Sequence, residues 1–375
     1  EICACLVGSE MCIRDSVKIA TKKGGNYMQS KELNSIKRDE NGRIMLGYIP
    51  ASVETRDEFN GNREKFWYKF DDIDVLFKKS NLDIDTYEDY AELLAEELAK
   101  QIGLPTAHYD MAIINDEPGV LSYDFRKGGA FTSGSLILKH YINIARVNEG
   151  LEPINTIENG LYNNLQTIEK ALSLECSEKQ VASIMKNLDL LYGLDCIALQ
   201  TDRHWNNWGI VTKIDKNGTI KKEFAPQFDG GSLCRFAISK KNIGKKLHYL
   251  DMQKRLPQIQ KILEVDLIPA DFDVSRTLRY DRDLDRDFIG VSRLMKAYED
   301  NPFRFEPVLD KLSQIDTYKA ISEVEARIGT NIPEECGLWF HEVVSYNLEL
   351  MKEKREEIDK AKGIYKSSES RGKAR

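Results

Sequence analysis

Three oxygen-bearing side chains on a short stretch of the chain could do the chemistry of phosphoryl transfer. Asp202 and Asn207 lie five positions apart, and Asp229 follows after a predicted hairpin, directly before two glycines. Phosphoryl transfer needs a carboxylate that orients the attacking hydroxyl, and oxygen ligands that hold Mg²⁺ against the nucleotide phosphates. The spacing therefore predicts Asp202 as the base or orienting group, and Asn207 and Asp229 as the Mg²⁺ ligands.

The predicted hairpin explains how the two metal ligands could meet. Two strand-like segments in residues 209–224 flank an Asn-Gly pair, which is the strongest signal for a two-residue hairpin turn. Such a turn pairs Lys216 with Thr219 and brings Asp229 within diagonal reach of Asn207. Two protein oxygens are enough, because Mg²⁺ takes its other ligands from phosphate and water.

The catalytic motif also resembles that of a known family. Asp-Arg-His-x-x-Asn at residues 202–207, with Asp229-Gly downstream, is similar to the catalytic loop and metal-binding Asp of HipA-like kinases, which are related to phosphatidylinositol kinases. In ordinary protein kinases and aminoglycoside kinases the His precedes the Asp, whereas His204 follows it. The resemblance implies that Arg203 and His204 brace the loop and that His204 touches the γ-phosphate.

The same resemblance implies a function, cofactors and partners. It indicates an ATP-dependent kinase that uses Mg²⁺ and phosphorylates a Ser or Thr hydroxyl of a protein substrate. Some kinases of this type are the toxin of a toxin–antitoxin pair, which would make an antitoxin protein a further partner.

A second constellation is predicted upstream of the catalytic loop. Residues 63–70 alternate, with Lys69 and Trp67 on the face opposite three aromatic side chains. A helix with Thr86 as its N-cap then extends to about residue 102. Kinases pair a strand lysine with a glutamate of such a helix, and Glu92 borders the apolar stripe. We expect Lys69 to neutralise the ATP phosphates and Glu92 to hold it.

The remaining nucleotide contacts are predicted on loops. Residues 59–65 contain Gly61 and could cradle phosphates through backbone N–H groups. This loop departs from the Gly-x-Gln-x-Lys pattern of HipA-like proteins. Tyr123 and Phe125 end a predicted strand where a kinase hinge meets adenine, and residues 126–129 are a predicted linker between lobes.

The order of these motifs and the family resemblance predict an α+β fold, a bilobal protein-kinase-like fold. A small antiparallel β-sheet lobe with one helix is expected over residues 43–125, and a larger, mainly α-helical lobe over residues 126–352. Residues 17–42 would be an N-terminal extension, and residues 353–375 a charged helix with a disordered tail. Residues 1–16 look like the in-frame translation of a transposase sequencing adapter on a metagenomic gene and are excluded from the fold prediction.

Helix signals frame the catalytic motif within the larger lobe. A capping box begins at Ser177 and opens a helix that leads the chain toward Asp202. Asp316 is predicted to begin a helix that ends near Gly329, and Pro333 to begin a longer one.

The composition bounds the class of protein. The chain has 375 residues, of which 41% are hydrophobic, and a net charge of −7. This acidic balance does not suit nucleic acid or an anionic membrane, so nucleic acid is expected to be contacted only indirectly, if at all. No apolar run reaches the length of a membrane span. The cysteines after residue 16 are scattered without metal-ligand spacing, as expected of reduced thiols in the cytoplasm; they are Cys176, Cys196, Cys234 and Cys336.

Three other functions are compatible with the sequence. A lipid kinase shares the Asp-Arg-His-x-x-Asn loop, but it should carry a basic or amphipathic membrane-facing element, and none is clear. A small-molecule kinase more often places the His before the Asp. A non-catalytic pseudokinase would act as a binding module. The intact Lys69, Asp202, Asn207 and Asp229 argue against it, while the unusual loop at residues 59–65 favours it.

Overall fold

The structure, a computed structural model, describes most of the chain in several segments. These are residues 38–46, 53–54, 63–70, 73–81, 85–157, 162–237, 240–244, 247, 279–280 and 290–363. Gly61, the adapter-like residues 1–16 and residues 364–375, which include the predicted disordered tail, lie outside the described residues.

In the described residues, nine strands form two sheets. The strands are β1 (Ile44–Leu46), β2 (Val53–Glu54), β3 (Lys65–Phe70), β4 (Ile73–Lys79), β5 (Tyr109–Ile114), β6 (Glu117–Tyr123), β7 (Ala130–Ser133), β8 (Gly209–Ile214) and β9 (Ile220–Phe224). The larger sheet has the order β1-β5-β6-β4-β3-β2, and its neighbours are antiparallel except for β1 with β5. The smaller sheet has the antiparallel order β7-β8-β9.

One helix accompanies the larger sheet, and the other described helices follow it in the chain. They are α1 (Glu88–Ile102), α2 (Gly134–Asn148), α3 (Leu165–Leu172), α4 (Glu178–Ile197), α5 (Val291–Asp300), α6 (Pro302–Leu312), α7 (Thr317–Ile328) and α8 (Glu334–Ala361). The described helices include none that is both long enough and apolar enough to span a membrane.

Local helix signals are mostly confirmed. The capping box at Ser177 is present at the start of α4, Asp316 caps α7, which ends at a left-handed Gly329, and α8 begins directly after Pro333. The predicted cap of α1 is wrong, because Thr86 donates a hydrogen bond to the Glu88 carboxylate (2.9 Å) rather than capping the helix.

The two faces of the larger sheet have different neighbours. Alternate residues of a strand share a face, so Lys65, Trp67 and Lys69 lie on one face, together with Lys78, which is directly opposite Lys65. The other face carries a small hydrophobic core formed by Ile44, Tyr68, Val75, Phe77, Ala112, Ile114 and Leu121. The apolar residues of α1 belong instead to the large core, which also contains α4 and the later helices.

The hairpin after the catalytic loop differs from the predicted register by one residue. Ile214 pairs with Ile220, and the N–H of Asp215 donates to the carbonyl of Thr219 (3.0 Å), so residues 216–218 form a loop of three residues instead of two. The carboxylate of Asp215 accepts hydrogen bonds from the backbone N–H groups of Asn217 (2.8 Å) and Thr219 (2.9 Å). This carboxylate favours the longer loop, which closes with Gly218 at a φ of +79°. The predicted pairing of Lys216 with Thr219 is therefore wrong, and β7, which was not predicted, covers the other edge of β8.

A buried acid fixes the second half of α1. Glu96 is fully buried and forms an ion pair with Arg327 (2.6 Å) from α7 and one with the partly exposed Lys100 (2.6 Å). His108 and the N–H of Tyr109 also contact its carboxylate, at 2.8 and 2.9 Å. Burial alone raises the pKa of a carboxyl group, but His108, Arg327 and Lys100 outweigh it and lower the pKa of Glu96 to about 2.

This shift predicts a pH dependence of stability. Because the pKa in the folded state lies below the ordinary value of 4.5, ionised Glu96 stabilises the fold above about pH 4.5, and that contribution is lost as the pH falls toward 2. A shift of this size corresponds to about 3 kcal/mol. Urea unfolding should therefore show that Glu96→Gln costs about 3 kcal/mol at pH 7 and progressively less below pH 4.5. The exposed Glu323→Gln should leave the profile unchanged, and a pH-independent cost of Glu96→Gln would contradict the prediction.

Candidate active site

A buried lysine joins the small lobe to the carboxylate that follows the hairpin. Nζ of Lys78, on β4, lies 2.6 Å from Oε1 of Glu92 on α1 and 2.8 Å from Oδ1 of Asp229. Lys78 is 4% exposed and Glu92 is 1% exposed. Although burial disfavours the charged amine, Asp229 and Glu92 raise the pKa of Lys78, and the lysines hold the pKa of Asp229 well below its usual range. Lys78 and Asp229 are therefore both ionised at neutral pH.

Lys78 occupies the position that was predicted for Lys69. The side chain of Lys69 is 51% exposed and pairs with Asp74 at 3.5 Å, which is a surface ion pair. Lys69 lies on the same sheet face as Lys65, but it is four residues further along β3, a distance of about 13 Å. The predicted pairing of Lys69 with Glu92 is wrong, whereas Glu92 does contact a strand lysine.

A second buried lysine was missed by the sequence prediction. Lys65 is directly opposite Lys78 in the sheet, is 7% exposed, and has its Nζ 3.9 Å from Oδ2 of Asp229. Burial and the nearby charge of Lys78 lower the pKa of Lys65, against the opposing effect of Asp229. Its position four residues after Gly61 is the Gly-to-Lys spacing of the Gly-x-Gln-x-Lys loop. This spacing in the sequence could have indicated Lys65.

Asp229 is held in an uncommon backbone conformation. Its φ is +58°, a region that Asp and Asn tolerate better than other non-glycine residues. The Asp229 N–H donates to the hydroxyl of Tyr109 (3.0 Å), and the next N–H, that of Gly230, donates to Oε2 of Glu92 (2.6 Å). Glu92 therefore positions both Lys78 and the turn that carries Asp229.

The close approach of this turn to α1 predicts different effects for two adjacent glycines. A Cβ at Gly230 would lie 2.5 Å from the Cβ of Ala95, whereas one at Gly231 would find its nearest atom 3.6 Å away, at Glu92. Gly230→Ala should therefore push the turn away from α1 and lower the free energy of unfolding by about 1–3 kcal/mol. Gly231→Ala should change it by less than about 0.5 kcal/mol. If both substitutions lowered the free energy of unfolding equally in urea, the contact of Gly230 with Ala95 would not restrict this turn.

A buried arginine ties the catalytic loop to the same turn. Arg203 is 2% exposed and pairs with Asp195 at 3.0 Å. Its Nη1 donates to the carbonyl oxygens of Asn207 (2.9 Å) and Phe228 (2.6 Å). One guanidinium thus holds the residue that precedes Asp229 beside the loop that carries Asp202, as its fixed fork of donors allows.

The predicted catalytic loop, residues 202–207, presents three further groups. Nδ2 of the buried Asn207 donates to the carbonyl of Asp202 (2.8 Å), so the amide oxygen is the atom that could bind a cation. Nδ1 of His204 accepts from the N–H of Asn206 (3.1 Å), and its Nε2 lies 3.8 Å from Oδ1 of Asp202. The carboxylate of Asp202 is half-exposed and accessible to an acceptor.

The charge state of Asp202 is set by its surroundings. Desolvation by the neighbouring protein and the negative charge of Asp229 raise the pKa of Asp202, while His204 and more distant cations oppose this effect. A raised pKa makes an aspartate a better proton acceptor than an ordinary surface carboxylate, provided that it is still ionised.

Tyr123 and Phe125, the two residues predicted to contact adenine, occupy different environments in the structure. Tyr123 pairs with Val75 and packs against the small core, on the sheet face opposite that of Lys78. Its backbone N–H donates to the backbone carbonyl of His108. The structure therefore does not bring the Tyr123 side chain to the site. Phe125 stacks on Phe228 with ring centroids 5.4 Å apart and so supports the segment before Asp229.

The sheet face of Lys78 also carries groups suited to a planar ligand. Trp67 is opposite Leu76, and Leu76 is opposite Ser122, so the three share this face. The guanidinium of Arg126 lies 4.8 Å from the centroid of the Trp67 ring, a cation–π contact between the sheet and the linker.

The donor set fits a magnesium–nucleotide complex better than a metal held by protein alone. Among the described residues, no group of three or more His, Cys, Asp or Glu side chains is arranged to hold a metal ion. Asp229 and the amide oxygen of Asn207 supply two hard oxygens, and Mg²⁺ commonly takes its remaining ligands from phosphates and water. Lys65 and Lys78 lie beside Asp229, where their positive charge could neutralise such phosphates.

Comparison with known proteins agrees with the predicted fold. The structure is similar to that of the Helicobacter pylori proinflammatory kinase CtkA, with a TM-score of 0.53 and 17% identity over 86% of this chain and 99% of that chain. HipA in a Shewanella oneidensis MR-1 toxin–antitoxin complex with HipB and operator DNA gives a TM-score of 0.44 and 13% identity, over 82% and 64% of the two chains. No protein-family model and no curated protein matches the chain. The likeness to CtkA concerns the fold, and the bilobal kinase-like fold predicted from the sequence is confirmed.

Proposed function

We propose that the protein is an ATP-dependent kinase that transfers the γ-phosphoryl group of ATP to a Ser or Thr hydroxyl of a protein. The observation that carries the proposal is the buried contact of Lys78 with both Glu92 and Asp229. In kinases the corresponding lysine and glutamate must be paired, and the aspartate must be in place, for transfer to occur.

Each residue of the cluster has a role in this proposal. Lys78 and Lys65 neutralise the nucleotide phosphates, and Asp229 and Asn207 hold Mg²⁺, which when bound would neutralise charge that develops on the phosphoryl group. Asp202 orients the acceptor hydroxyl and accepts its proton. The adenine base lies against the face formed by Trp67 and its neighbours, and the main chain near Phe125 borders it.

The acceptor class can be tested directly with the full chain. The protein is incubated with γ-labelled ATP and Mg²⁺, in parallel with protein acceptors, with phosphatidylinositol vesicles and with no acceptor. We expect label on protein Ser or Thr, and its loss when EDTA removes Mg²⁺. Label on the vesicle lipid instead would favour the lipid-kinase alternative. Binding of Mg²⁺–ATP without transfer to any acceptor would favour the pseudokinase, and absence of nucleotide binding would overturn the proposal.

A toxin role in the cytoplasm, with an antitoxin as partner, is the finer form of the proposal. It is supported by the resemblance of the Asp-Arg-His-x-x-Asn loop to that of HipA-like kinases. Induced expression should arrest bacterial growth, and expression of the Asp202→Asn variant should not.

A further inference from the structure

We infer that Arg327 of α7 is a positioning residue that holds α1 in the orientation in which Glu92 meets Lys78. The inference rests on the proposed function, and it adds a contact from a helix far along the chain. In kinases, movement of the corresponding helix separates the glutamate from the lysine and switches activity off. Here a side chain 231 positions after Glu96 opposes that movement.

Arg327 contacts α1 one turn beyond Glu92. Its Nη1 lies 2.6 Å from Oε2 of Glu96, and its Nη2 contacts Oε1 of Glu97. Residues four positions apart lie on the same face of a helix, so Glu96 is the neighbour of Glu92 on the side that α7 covers. A guanidinium that binds two consecutive carboxylates restrains the helix in rotation as well as in translation.

The same guanidinium reaches the turn of Asp229 through Tyr109. Nη1 of Arg327 also donates to the carbonyl of Tyr109 (2.9 Å), and the hydroxyl of Tyr109 accepts from the N–H of Asp229 (3.0 Å). Nζ of Lys78 lies 5.6 Å from the centroid of the Tyr109 ring. Arg327 is therefore connected to Lys78 and Asp229 through Tyr109, and to Glu92 through one turn of α1.

A second contact between α1 and the start of α7 acts in the same direction. The side-chain amide of Gln101 donates to the carbonyl of Asp316 (2.9 Å) and accepts from its N–H (2.7 Å). Two contacts at different points of α1 prevent it from pivoting about either one. The arrangement holds α1 in place by contacts between described residues of the fold.

The test compares Arg327→Gln with Lys319→Gln, an exposed residue of the same helix that gives the same change of charge. Because Arg327 acts through Glu92, Arg327→Gln should lower kcat by about 2- to 30-fold while KM for the acceptor is unchanged. Lys319→Gln should change neither. Hydrogen exchange of the α1 amides should become faster only in Arg327→Gln, and Arg327→Lys should restore part of the loss.

A double-mutant cycle separates positioning from general destabilisation. In a Glu92→Gln background, Arg327→Gln should cause little further loss of kcat, since the contact it supports is already absent. Independent, multiplicative losses in the cycle, or an unchanged kcat, would overturn the inference. If Arg327→Gln does not fold, Gln101→Ala provides the same comparison, and an unchanged kcat and exchange rate there overturn it. Absence of transfer by the wild-type protein would instead refute the proposed function, and the exchange measurement would still decide whether Arg327 holds α1.

Discussion

Asp202→Asn is expected to lower kcat by about 10²–10⁴-fold, the range for loss of a general base. The substitution keeps the shape of the side chain but removes its ability to accept the proton of the acceptor hydroxyl. The half-exposed carboxylate lies beside Nε2 of His204 (3.8 Å) and, in the proposed function, it is not a metal ligand. Binding of Mg²⁺–ATP, measured by calorimetry, should therefore be retained.

The matched control for this substitution is Asp116→Asn. Asp116 is exposed in the turn between β5 and β6 and has a φ of +65°, which Asn adopts readily. Its replacement should leave both kcat and nucleotide binding unchanged. An Asp202→Asn variant that transfers phosphate as fast as the wild type would remove Asp202 from the mechanism.

The pH dependence of kcat gives an independent readout of the same residue. Since the pKa of Asp202 is raised above its ordinary value of 3.8, the carboxylate becomes protonated at a higher pH than a surface aspartate. The wild-type kcat should therefore rise with pH through that pKa, and the residual activity of Asp202→Asn should lack this rise.

Lys78→Met is expected to lower kcat/KM by about 10²–10³-fold, the range for loss of one preorganised donor to a developing charge. Lys69→Met should leave kcat/KM within twofold of the wild type, because the side chain of Lys69 is half-exposed and pairs only with Asp74 among the described residues. The two substitutions remove the same chemical group from neighbouring strands. A larger loss for Lys69→Met than for Lys78→Met would contradict the assignment.

The Lys78 variant must also be checked for folding. Removal of the amine leaves two carboxylates, Glu92 and Asp229, without their shared cation, and breaking a buried ion pair costs about 3–5 kcal/mol. Urea unfolding therefore accompanies the kinetics. The double variant Glu92→Gln/Lys78→Met leaves one buried carboxylate fewer without its cation. The loss of activity should persist in this variant.

The sequence could indicate those candidate site residues that lie close together in the chain. Asp202, His204 and Asn207 lie on one short loop, and Asp229 follows five residues after the end of β9, so their types and spacing indicate the predicted chemistry. The hairpin register could not be predicted in the same way. The Asn-Gly pair favours a two-residue turn, but the side chain of Asp215 stabilises a three-residue loop by accepting two backbone N–H groups.

The alternating pattern of residues 63–70 cannot show which strand lysine lies at the site, because that depends on tertiary packing. Lys65 and Lys69 share one face of β3, and only the packing of α1 and the Asp229 turn decides which end of the strand covers the site. A signal for Lys78 was present, since Val75-Leu76-Phe77-Lys78 has the form of the kinase Val-Ala-Ile-Lys strand. The contacts of Arg327 connect residues more than 200 positions apart, and no local pattern indicates them.

The division of the hydrophobic core has a consequence for synthesis on the ribosome. The small core of the sheet is complete once β6 has been made, but the apolar face of α1 packs into the large core, against α4 among other helices. Arg327, which contacts Glu96, is made later still. A nascent chain that stops before α7 therefore carries Lys78, Glu92, Asp202 and Asp229 but lacks the arginine that restrains α1. In the proposed function, full activity would thus be reached only after α7 has been made.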